Sequence, residues 1–361
     1  MKYISLFSGI EAATVAWNPL GWEAEAYAEI DPFPKAVLAH HYPGVPDLGD
    51  MTKVDWREYR GKVDLVCGGS PCQAFSVAGL RKALDDPRGQ LMLEYLRACH
   101  EINPEWIVWE NVPGVLSADG GRAFGSLLAG VAELWPDGGA AWRVLDAQFF
   151  GVAQRRRRVF LVINTRDWRR AAPVLFERES LRWDYPSSKK ARQALAGRPN
   201  ASIGATARSI DYNPSDGRFR FPEDPSLAPT LTARMGTGGN NMPPIYCATD
   251  SGTNMAIGDD MSPTLTAHDG NSACFVNVPI TGSADAAFAV RRLTPVECER
   301  LQGFPDGWTD VPWRGAEHAP DSKRYKALGN SMAVPVMRWI GEGIQLVEDN
   351  KGLFQENPSE Q

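Results

Sequence analysis

The sequence lacks the paired cysteines of a structural zinc site. Its six cysteines are scattered along the chain, and no two of them form the CxxC spacing that is typical of zinc ligands. We therefore expect no bound metal. In a reducing compartment the six thiols stay free, so one of them is open to a chemical role.

Long apolar runs are also missing. No stretch approaches the roughly 20 consecutive apolar residues that a membrane-spanning helix needs. The first apolar segment turns acidic at Glu11 and has no small-residue cleavage site after it, so it is unlike a signal peptide. With 361 residues, of which 43% are hydrophobic, the chain has the composition of a soluble globular protein of about two domains. We expect it in the cytoplasm.

The chain as a whole has no surplus of basic residues, and its formal net charge is −6. That value argues against a nucleic-acid partner, but the charge is unevenly spread. Residues 154–234 hold 17 Lys and Arg against 8 Asp and Glu, a local charge of +9 that leaves −15 for the remainder. A basic segment in an acidic protein is typical of a phosphate-binding face. The alternative is a solvated basic loop.

The glycine-rich loop GxGxxG, which cradles a pyrophosphate, does not follow the first predicted strand. That strand ends in the segment Phe7–Glu11, with one glycine at Gly9, and Glu29 lies 20 residues farther along. A carboxylate at that spacing suits the hydroxyls of a ribose. The pattern is compatible with an adenosine cofactor that has no pyrophosphate. A nicotinamide dehydrogenase is a competing interpretation, against which the missing glycines argue.

Apolar segments alternate with helical patterns in the first 165 residues. Strands that are separated by helices of about 10–15 residues predict a mostly parallel sheet with helices on both faces. The predicted fold class is therefore α/β and Rossmann-like, with a small irregular β-rich region added. The predicted strands are 2–7, 24–30, 63–70, 106–112, 143–151 and 157–165.

The alternation stops after Thr165, and this change divides the chain. Residues 166–290 are rich in Gly, Pro, Ser, Thr and Asn, and the segments 227–240 and 261–271 share the sequence PTLTA. We favour an ordered, loop-rich insertion over a structureless linker, because structureless loops of that length are unusual in enzymes. The predicted division is an α/β catalytic and cofactor-binding domain at 1–165, the insertion at 166–290, a return to the catalytic domain at 291–347 and a disordered tail at 348–361.

Two reactive side chains follow buried strands. Cys72 comes after the strand that ends in Gly68-Gly69, and in open α/β sheets the reacting groups lie beyond the carboxyl ends of the strands. The alternative for Cys72 is a small buried hydrophobic residue, the more common role of a lone cysteine. Glu110 ends another predicted strand and would face the same crevice, unless it is a plain capping acid.

A thiolate and a carboxylic acid on one crevice edge suit methyl transfer to cytosine C5. That carbon is a poor nucleophile, and addition of the Cys72 thiolate at C6 turns it into an enamine-like carbon that can attack an electrophilic methyl group. Glu110 would hold a proton toward N3 and make C6 easier to attack. The run Gln154–Arg158 opens a predicted strand, so alternate arginines share a face. That face could bind a base oxygen or a phosphate, or be a basic strand end on the surface.

In combination these segments resemble the DNA (cytosine-5)-methyltransferase family of bacteria and phages. The similarity runs in family order from about residue 3 to residue 345, interrupted by 166–290. PCQ, ENV and QxRxR in this order and spacing are highly specific, whereas each alone is not. The matching segments are FSGIE (7–11), Glu29, Gly49-Asp50, GGSPCQAFS (68–76), DPRG (86–89), ENV (110–112), QRRRRVF (154–160), RRLTPVECERLQGFP (291–305) and ALGNSMAVP (327–335).

The resemblance implies a role for each matched position. Cys72 would be the nucleophile and Glu110 the partner of cytosine N3. S-adenosylmethionine is the implied methyl donor, with Asp50 on its adenine amino group and Glu29 on its ribose. The other implied residues are the catalytic Arg156 and Arg158, the cofactor contacts Phe7, Gly9, Ile10, Ile30, Met51, Asn330 and Ser331, and the substrate contacts Gln73, Ser76 and Asn111.

Two departures from the family pattern concern the first motif, where Ser8 and Glu11 replace the usual Ala and second Gly. Glu11 would repel the carboxylate of the cofactor, so we expect its side chain to point away. The insertion 166–290 corresponds to the target-recognition region. The implied partner is double-stranded DNA, read by a monomer, with a cognate restriction endonuclease as a further partner.

Two further interpretations stay open. An RNA cytosine-5 methyltransferase would share the PCQ and ENV motifs, but those relatives have a short recognition region, and the long 166–290 insertion favours DNA. A catalytically silent DNA-binding protein on this scaffold is the second, and the presence of both Cys72 and Glu110 argues against it.

Overall fold

The computed structural model describes residues 1–70, 90–176, 207–209, 211–213, 218–220, 244–247 and 291–354. The predicted site residues Cys72, Gln73 and Ser76 lie outside this part of the chain, and so do both PTLTA segments.

The chain divides into two compact units. Among the described residues, the first unit holds 1–70, 90–146, 157–176 and 332–354, and the second holds 147–156, the short segments between 207 and 247, and 291–331. Residues 166–176, which the sequence assigned to the insertion, belong to the first unit because the helix Ala171–Leu175 packs against the strand Gly139–Asp146. The predicted target-recognition domain remains a prediction.

A six-stranded sheet forms the centre of the first unit. Its strands are β1 (Lys2–Leu6), β2 (Glu23–Ala28), β3 (Leu65–Gly68), β4 (Trp106–Asn111), β5 (Gly139–Asp146) and β6 (Arg157–Asn164). The order across the sheet is β2-β1-β3-β4-β6-β5. The pairs β1–β2, β1–β3 and β3–β4 are parallel, whereas β6 is antiparallel to both β4 and β5. The predicted α/β, Rossmann-like fold is confirmed, with β6 as the antiparallel exception.

The direction of each strand follows from the chain that precedes it. Parallel neighbours need a crossover connection, usually a helix. Residues 147–156, between β5 and β6, hold one 3-10 turn at Ala147–Phe149, and a connection this short permits antiparallel pairing. The helices in the described residues are α1 (Ala12–Trp17), α2 (Pro32–His41), α3 (Gln90–Ile102), α4 (Arg122–Leu134), α5 (Ala171–Leu175), α6 (Pro295–Gln302), α7 (Asp321–Asn330) and α8 (Val334–Asp349).

The core of the first unit combines the strands with the apolar face of α3. The residues of β3 are all buried, and those of β4 nearly so, as expected for central strands that are covered on both faces. The apolar side chains of α3 recur at helical spacing and are buried, each contributing about 1.5–3 kcal/mol. They are Met92, Tyr95, Leu96, Cys99 and Ile102. No helix in the described part of the chain is long and apolar enough to cross a bilayer.

The described residues of the second unit form short strands and two α-helices. Helix α6 begins at a capping box, in which the Thr294 hydroxyl accepts the Glu297 N–H and the Glu297 carboxylate accepts the Thr294 N–H, as its sequence predicts. The buried Glu299 accepts the backbone N–H groups of Gly307 at 2.7 Å and Thr309 at 2.8 Å, and pairs with Arg324. The strands are Ala207–Ser209, Asp211–Asn213, Arg218–Arg220, Pro244–Cys247 and Arg291–Arg292.

Three details of the elements differ from the prediction. The strand predicted at 143–151 lies at 139–146, because the small residues Gly139-Ala140-Ala141 are already paired with β6. Strand β6 begins only at Arg157, so the predicted alternation of arginines along it is wrong for Arg156. Helix α8 continues to Asp349 and a 3-10 turn follows at 351–354, so this part of the predicted tail is ordered.

Candidate active site

The predicted cofactor and catalytic residues of the first unit follow the carboxyl ends of adjacent strands. Because β2, β1, β3 and β4 are parallel neighbours, the residues after them emerge at the same edge of the sheet. Phe7 follows β1, Glu29 follows β2 and Gly69 follows β3, while Glu110 lies at the end of β4. This edge is where ligands bind in open α/β sheets.

The turn after β1 is built from left-handed backbone conformations. The backbone angle φ is 53° at Phe7, 58° at Gly9 and 65° at Glu11. Positive φ values are strained for residues other than glycine. At Gly9 a side chain would meet no atom within 4 Å, so the chain leaves open space there. The turn ends where Glu11 caps α1. An open cradle at the positive end of a helix and a strand edge suits a polar ligand.

The Glu29 carboxylate closes this turn. One of its oxygens, Oε2, accepts the Gly9 N–H at 2.8 Å, and Oε1 accepts the N–H groups of Ile30 and Asp31, both at 2.7 Å. A carboxylate has about four acceptor positions, and three are used here, so about one position on Oε2 remains for a ribose hydroxyl. The Ile30 side chain beside it is 71% exposed, an apolar surface at the position predicted to contact the cofactor.

Glu11 points into the protein. Its side chain is fully buried and accepts the Thr14 N–H at 3.1 Å. Burial raises the pKa of Glu11 to about 7, against the opposing effect of hydrogen bonds from Ser5 and Thr14. Thr14 in turn shares hydrogen bonds with the hydroxyls of Tyr3, at 2.6 Å, and Tyr27, at 2.9 Å. The carboxyl is thus part of an interior polar network rather than of the ligand surface.

Three other predicted cofactor contacts have internal positions or partners. The side chains of Ile10 and Met51 are buried in the core, and the Met51 carbonyl accepts the Trp56 indole N–H at 2.9 Å. Asp50 caps the 3-10 helix Met51–Lys53 and accepts bonds from the Thr52 N–H, at 3.1 Å, and the Thr52 hydroxyl, at 2.7 Å. The Thr52 hydroxyl bond is the main cause that lowers the pKa of Asp50, which stays an anionic acceptor.

Glu110 and Arg158 form an ion pair. The Arg158 Nε lies 3.0 Å from Glu110 Oε1, and both side chains are mostly buried, at 15% and 13% exposed. The register explains the contact. Glu110 is paired with Phe160 across β4 and β6, so Arg158 is its diagonal neighbour on the same face. A guanidinium fixed on a carboxylate orients the acid and supplies a donor beside it.

The chain that leaves β3 passes closely over Glu110. A Cβ at Gly69 would lie 2.9 Å from Glu110 Oε2, a contact that real side chains essentially never make. The next residue, Ser70, is buried. Its hydroxyl accepts the Trp109 indole N–H at 3.1 Å, and its carbonyl accepts the Asn111 Nδ2 at 3.1 Å. The amide of Asn111, predicted as a substrate contact, is therefore engaged within the protein.

Arg156, Asn330 and Ser331 lie in the second unit. The Arg156 side chain is buried, and its Nη2 donates to the carbonyls of Gly329 at 3.2 Å and Ser331 at 2.5 Å. These bonds hold the end of α7, which contains Asn330. Within this unit the structure brings Arg156 and Ser331 together, as a backbone clamp at the predicted cofactor segment. The role of Arg156 near the target base remains a prediction.

The described cysteine side chains are not suited to nucleophilic chemistry. Cys67, Cys99 and Cys298 are buried, and burial raises the pKa of each thiol, which disfavours the reactive thiolate. Of the described residues, no three His, Cys, Asp or Glu side chains are grouped so that they could hold a metal ion. Cys72, two residues beyond Ser70 in the sequence, is thus left as the cysteine next to the site.

Sequence reasoning missed the residues that surround the predicted acid. It identified Glu110 and Arg158, which the structure joins, and Glu29 with Gly9, which it also joins. It did not identify the contacts of Trp109 with Ser70, because side-chain contacts between neighbouring strands leave no periodic signal. The pairing register of β3 with β4 was needed to find them.

Curated relatives of this chain are mostly type II methyltransferases. It is 28% identical to the type II methyltransferase M2.BsuMI of Bacillus subtilis, over 95% of this chain and 75% of that protein. It is 27% identical to M.SsoII of Shigella sonnei, over 95% and 79%. A phage P1 protein named DNA N-6-adenine-methyltransferase is 36% identical over 95% of this chain. The chain spans 61% of that phage protein's length.

Solved structures share the fold. The Dnmt2 methyltransferase of S. pombe matches with a TM-score of 0.60, 15% identity, and coverage of 98% of this chain and 99% of that one. The Entamoeba histolytica methyltransferase EhMeth matches with a TM-score of 0.57, 12% identity and coverage of 99% of both chains. The family model of the C-5 cytosine-specific DNA methylases matches residues 1–346. This chain therefore belongs to the C-5 cytosine-specific DNA methylase family.

Proposed function

We propose that this protein transfers a methyl group from S-adenosylmethionine to C5 of cytosine in a specific sequence of double-stranded DNA. The observation that carries the proposal is the arrangement at the end of β4, where Glu110, paired with Arg158, lies next to Gly69, three residues before Cys72 in the sequence. An acid, a guanidinium and the approach to a thiol at the carboxyl edge of one sheet form the set of groups that C5 methylation requires.

The turn after β1 fits the proposed cofactor. Gly9 leaves open space, Glu29 offers an acceptor for a ribose hydroxyl, and Ile30 offers an exposed apolar side chain. Because the Glu11 carboxyl is buried in the interior, it presents no charge to the methionine carboxylate. When bound, S-adenosylmethionine supplies an electrophilic methyl group.

Cys72 begins the reaction in this proposal. Its thiolate adds to C6 of the cytosine, and the new S–C6 bond pushes electron density onto C5. Glu110 holds a proton at N3, which makes the ring a better acceptor for the thiolate. After C5 has gained the methyl group, a base such as water takes the C5 proton, whose bonding electrons form the C5–C6 double bond. The S–C6 bond then breaks with its electron pair returning to Cys72 as thiolate, N3 gives its proton back to Glu110, and the aromatic ring is restored.

Arg158 contributes orientation and charge. In this proposal it holds one oxygen of Glu110 at 3.0 Å, which orients the carboxyl toward the base, and its guanidinium also donates to the cytosine carbonyl. The target cytosine must leave the base stack, because no side chain reaches C6 inside a duplex, and extrusion costs a few kcal/mol. Lys and Arg contacts with phosphates would hold the DNA and weaken as salt increases.

Methylation of adenine is the second candidate, because the phage P1 relative carries that name. An exocyclic amine is itself a nucleophile and needs no thiol addition. The PCQ and ENV segments of this chain therefore favour cytosine C5, and the unmatched part of the phage protein is a candidate source of the adenine activity.

Product analysis separates these candidates. The chain is expressed in cells that lack cytosine and adenine methyltransferases, and the DNA is analysed both for 5-methylcytosine by bisulfite sequencing and for N6-methyladenine by nucleoside mass spectrometry. The proposal predicts 5-methylcytosine at one recurring sequence. N6-methyladenine alone, or no modified base from an enzyme that is folded and binds S-adenosylmethionine, would contradict it.

A further inference from the structure

Ser70 is held in place after the sheet pairing has ended. The last paired residues of β3 and β4 are Gly68 and Trp109, so Ser70 has no ladder partner. It is nevertheless 5% exposed, and two side chains of β4 bind it, Trp109 through the hydroxyl and Asn111 through the carbonyl, both at 3.1 Å. We call Ser70, Trp109 and Asn111 the strand-exit clamp.

The orientation of the clamp is well defined. Asn111 Oδ1 accepts the Val112 N–H at 2.8 Å, which leaves its Nδ2 to face Ser70. Trp109 has a single donor, the indole N–H, and it is used on Ser70. The Trp109 ring is fully buried and stacks with Phe124, with ring centroids 6.3 Å apart. A buried donor that loses its partner destabilises the fold, so this bond restricts where Ser70 can lie.

The clamp and the proposed acid share one strand. Side chains alternate along β4, so Trp109 and Asn111 project to one face and Glu110 to the other. Gly69 passes Glu110 at a distance that excludes any side chain, while Ser70 is fixed by the residues on either side of that acid. The strand therefore sets the path of the chain relative to the Glu110 carboxylate. Two peptide units span at most about 7 Å, so the chain can carry the Cα atom of Cys72 no farther than about that distance from the Cα atom of Ser70.

We propose that Trp109 is a positioning residue for methyl transfer, which acts by fixing the chain at Ser70, two residues before Cys72, against the strand that carries Glu110. The inference rests on the proposed function of Cys72 and Glu110. Neither the composition nor the ENV motif requires a tryptophan there, because a plain apolar side chain would fill the core equally well. The indole N–H is what adds the positional constraint.

The test replaces the donor and keeps the ring. Trp109→Phe removes the indole N–H but retains an aromatic side chain in the core. Because a displacement of about 1 Å at a reacting group can cost about 100-fold in rate, we expect kcat to fall roughly 10- to 100-fold. The rate of covalent adduct formation with DNA that contains 5-fluorocytosine should fall by the same factor. The KM for S-adenosylmethionine should stay within about twofold, because Trp109 does not contact the cofactor turn.

Trp106→Phe is the matched control. Trp106 is a buried tryptophan at the other end of the same strand, and its indole N–H donates to Glu348 at 2.7 Å. Removing this N–H affects stability to a similar extent but leaves the carboxyl end of β4 intact. We expect kcat and the adduct rate of this variant to match those of the wild type.

A double-mutant cycle assigns the effect to the hydrogen bond. Ser70→Ala removes the acceptor without changing the indole, and it keeps the test decisive if Trp109→Phe fails to fold. If the bond acts by fixing the chain at Ser70, the double variant loses no more activity than either single variant. Wild-type kcat and adduct rate in both single variants, an equal loss in Trp106→Phe, or multiplied losses in the double variant would overturn the proposal. Absence of an adduct in the wild type would contradict the proposed function instead.

Discussion

Glu110 illustrates how two neighbours prepare one acid. Arg158 holds one of its oxygens, and the missing side chain of Gly69 makes room for the other. The acid is thus confined between a cation and a backbone segment before any substrate arrives. This confinement suits a group that must meet N3 of a base in one orientation.

Replacing Glu110 by Gln should slow methyl transfer by roughly 100-fold or more, because the amide cannot hold an acidic proton at N3. The measurement is single-turnover transfer of labelled methyl groups to DNA. Glu94→Gln, on α3 and paired with Arg97, is the control and should retain the wild-type rate. A near-normal rate for Glu110→Gln would remove this residue from the chemistry.

Glu11 makes stability dependent on pH. Its pKa is about 7 in the folded protein, against an ordinary value of 4.5. Between these two values the unfolded chain releases the proton and the folded chain keeps it, so the free energy of unfolding falls as pH rises from about 4.5 to about 7 and then levels off. The difference between the two pKa values corresponds to a decrease of about 3 kcal/mol in the free energy of unfolding over this pH range.

Glu11→Gln should remove this dependence. We expect the free energy of unfolding of the variant, relative to the wild type, to increase by up to about 3 kcal/mol between pH 5 and pH 8, because the amide does not ionise. Urea unfolding of the wild type and the variant at several pH values measures it. A constant difference between wild type and Glu11→Gln across this range would disprove the assignment.

At the scale of elements, an ion cluster joins α8 to the sheet. The buried Arg170 guanidinium bonds to Glu105 and Glu348, and it lies 5.2 Å from the centre of the Trp106 ring. Trp106 and Lys351 also contact Glu348. One arginine therefore holds together β4, the segment after β6 and the end of α8, which explains why the chain remains ordered past 348.

Arg170→Leu should destabilise the protein by about 3 kcal/mol, because it leaves two partly buried carboxylates without their main partner. The neighbouring Arg169→Leu breaks the more exposed pair with Asp167 and should cost less than about 1 kcal/mol. Both are measured by urea denaturation at neutral pH. Equal losses in the two variants would show that the cluster does not tie the helix to the sheet.

For the whole molecule, strand and helix patterns were sufficient to predict the α/β fold. The predicted strands 2–7, 24–30 and 106–112 match β1, β2 and β4 to within about two residues, because each is an apolar segment bounded by turn residues. The resemblance of the motifs to the family also pointed to Glu110 and Arg158, and the structure joins these two side chains in an ion pair. The antiparallel β6 could not be predicted, because strand direction depends on how the connections pack.

Contacts between residues that are far apart in the sequence could not be predicted either. Arg156 was predicted to lie beside Arg158 on a strand face, but it precedes the strand and binds carbonyls of residues 329 and 331. The Trp109–Ser70 bond joins residues 39 positions apart. Neither contact repeats along the chain, so no local pattern encodes it, and only the folded register brings the partners together.

The central claim is that residue 72 forms a transient bond to the target base. It is tested by incubating the protein and S-adenosylmethionine with duplex DNA that carries 5-fluorocytosine at the mapped target, where the fluorine blocks release of the enzyme. We predict a denaturation-resistant complex whose DNA is attached to the peptide that contains Cys72, and none with Cys72→Ser. Turnover of normal DNA without such a complex, or attachment through another cysteine, would contradict the account.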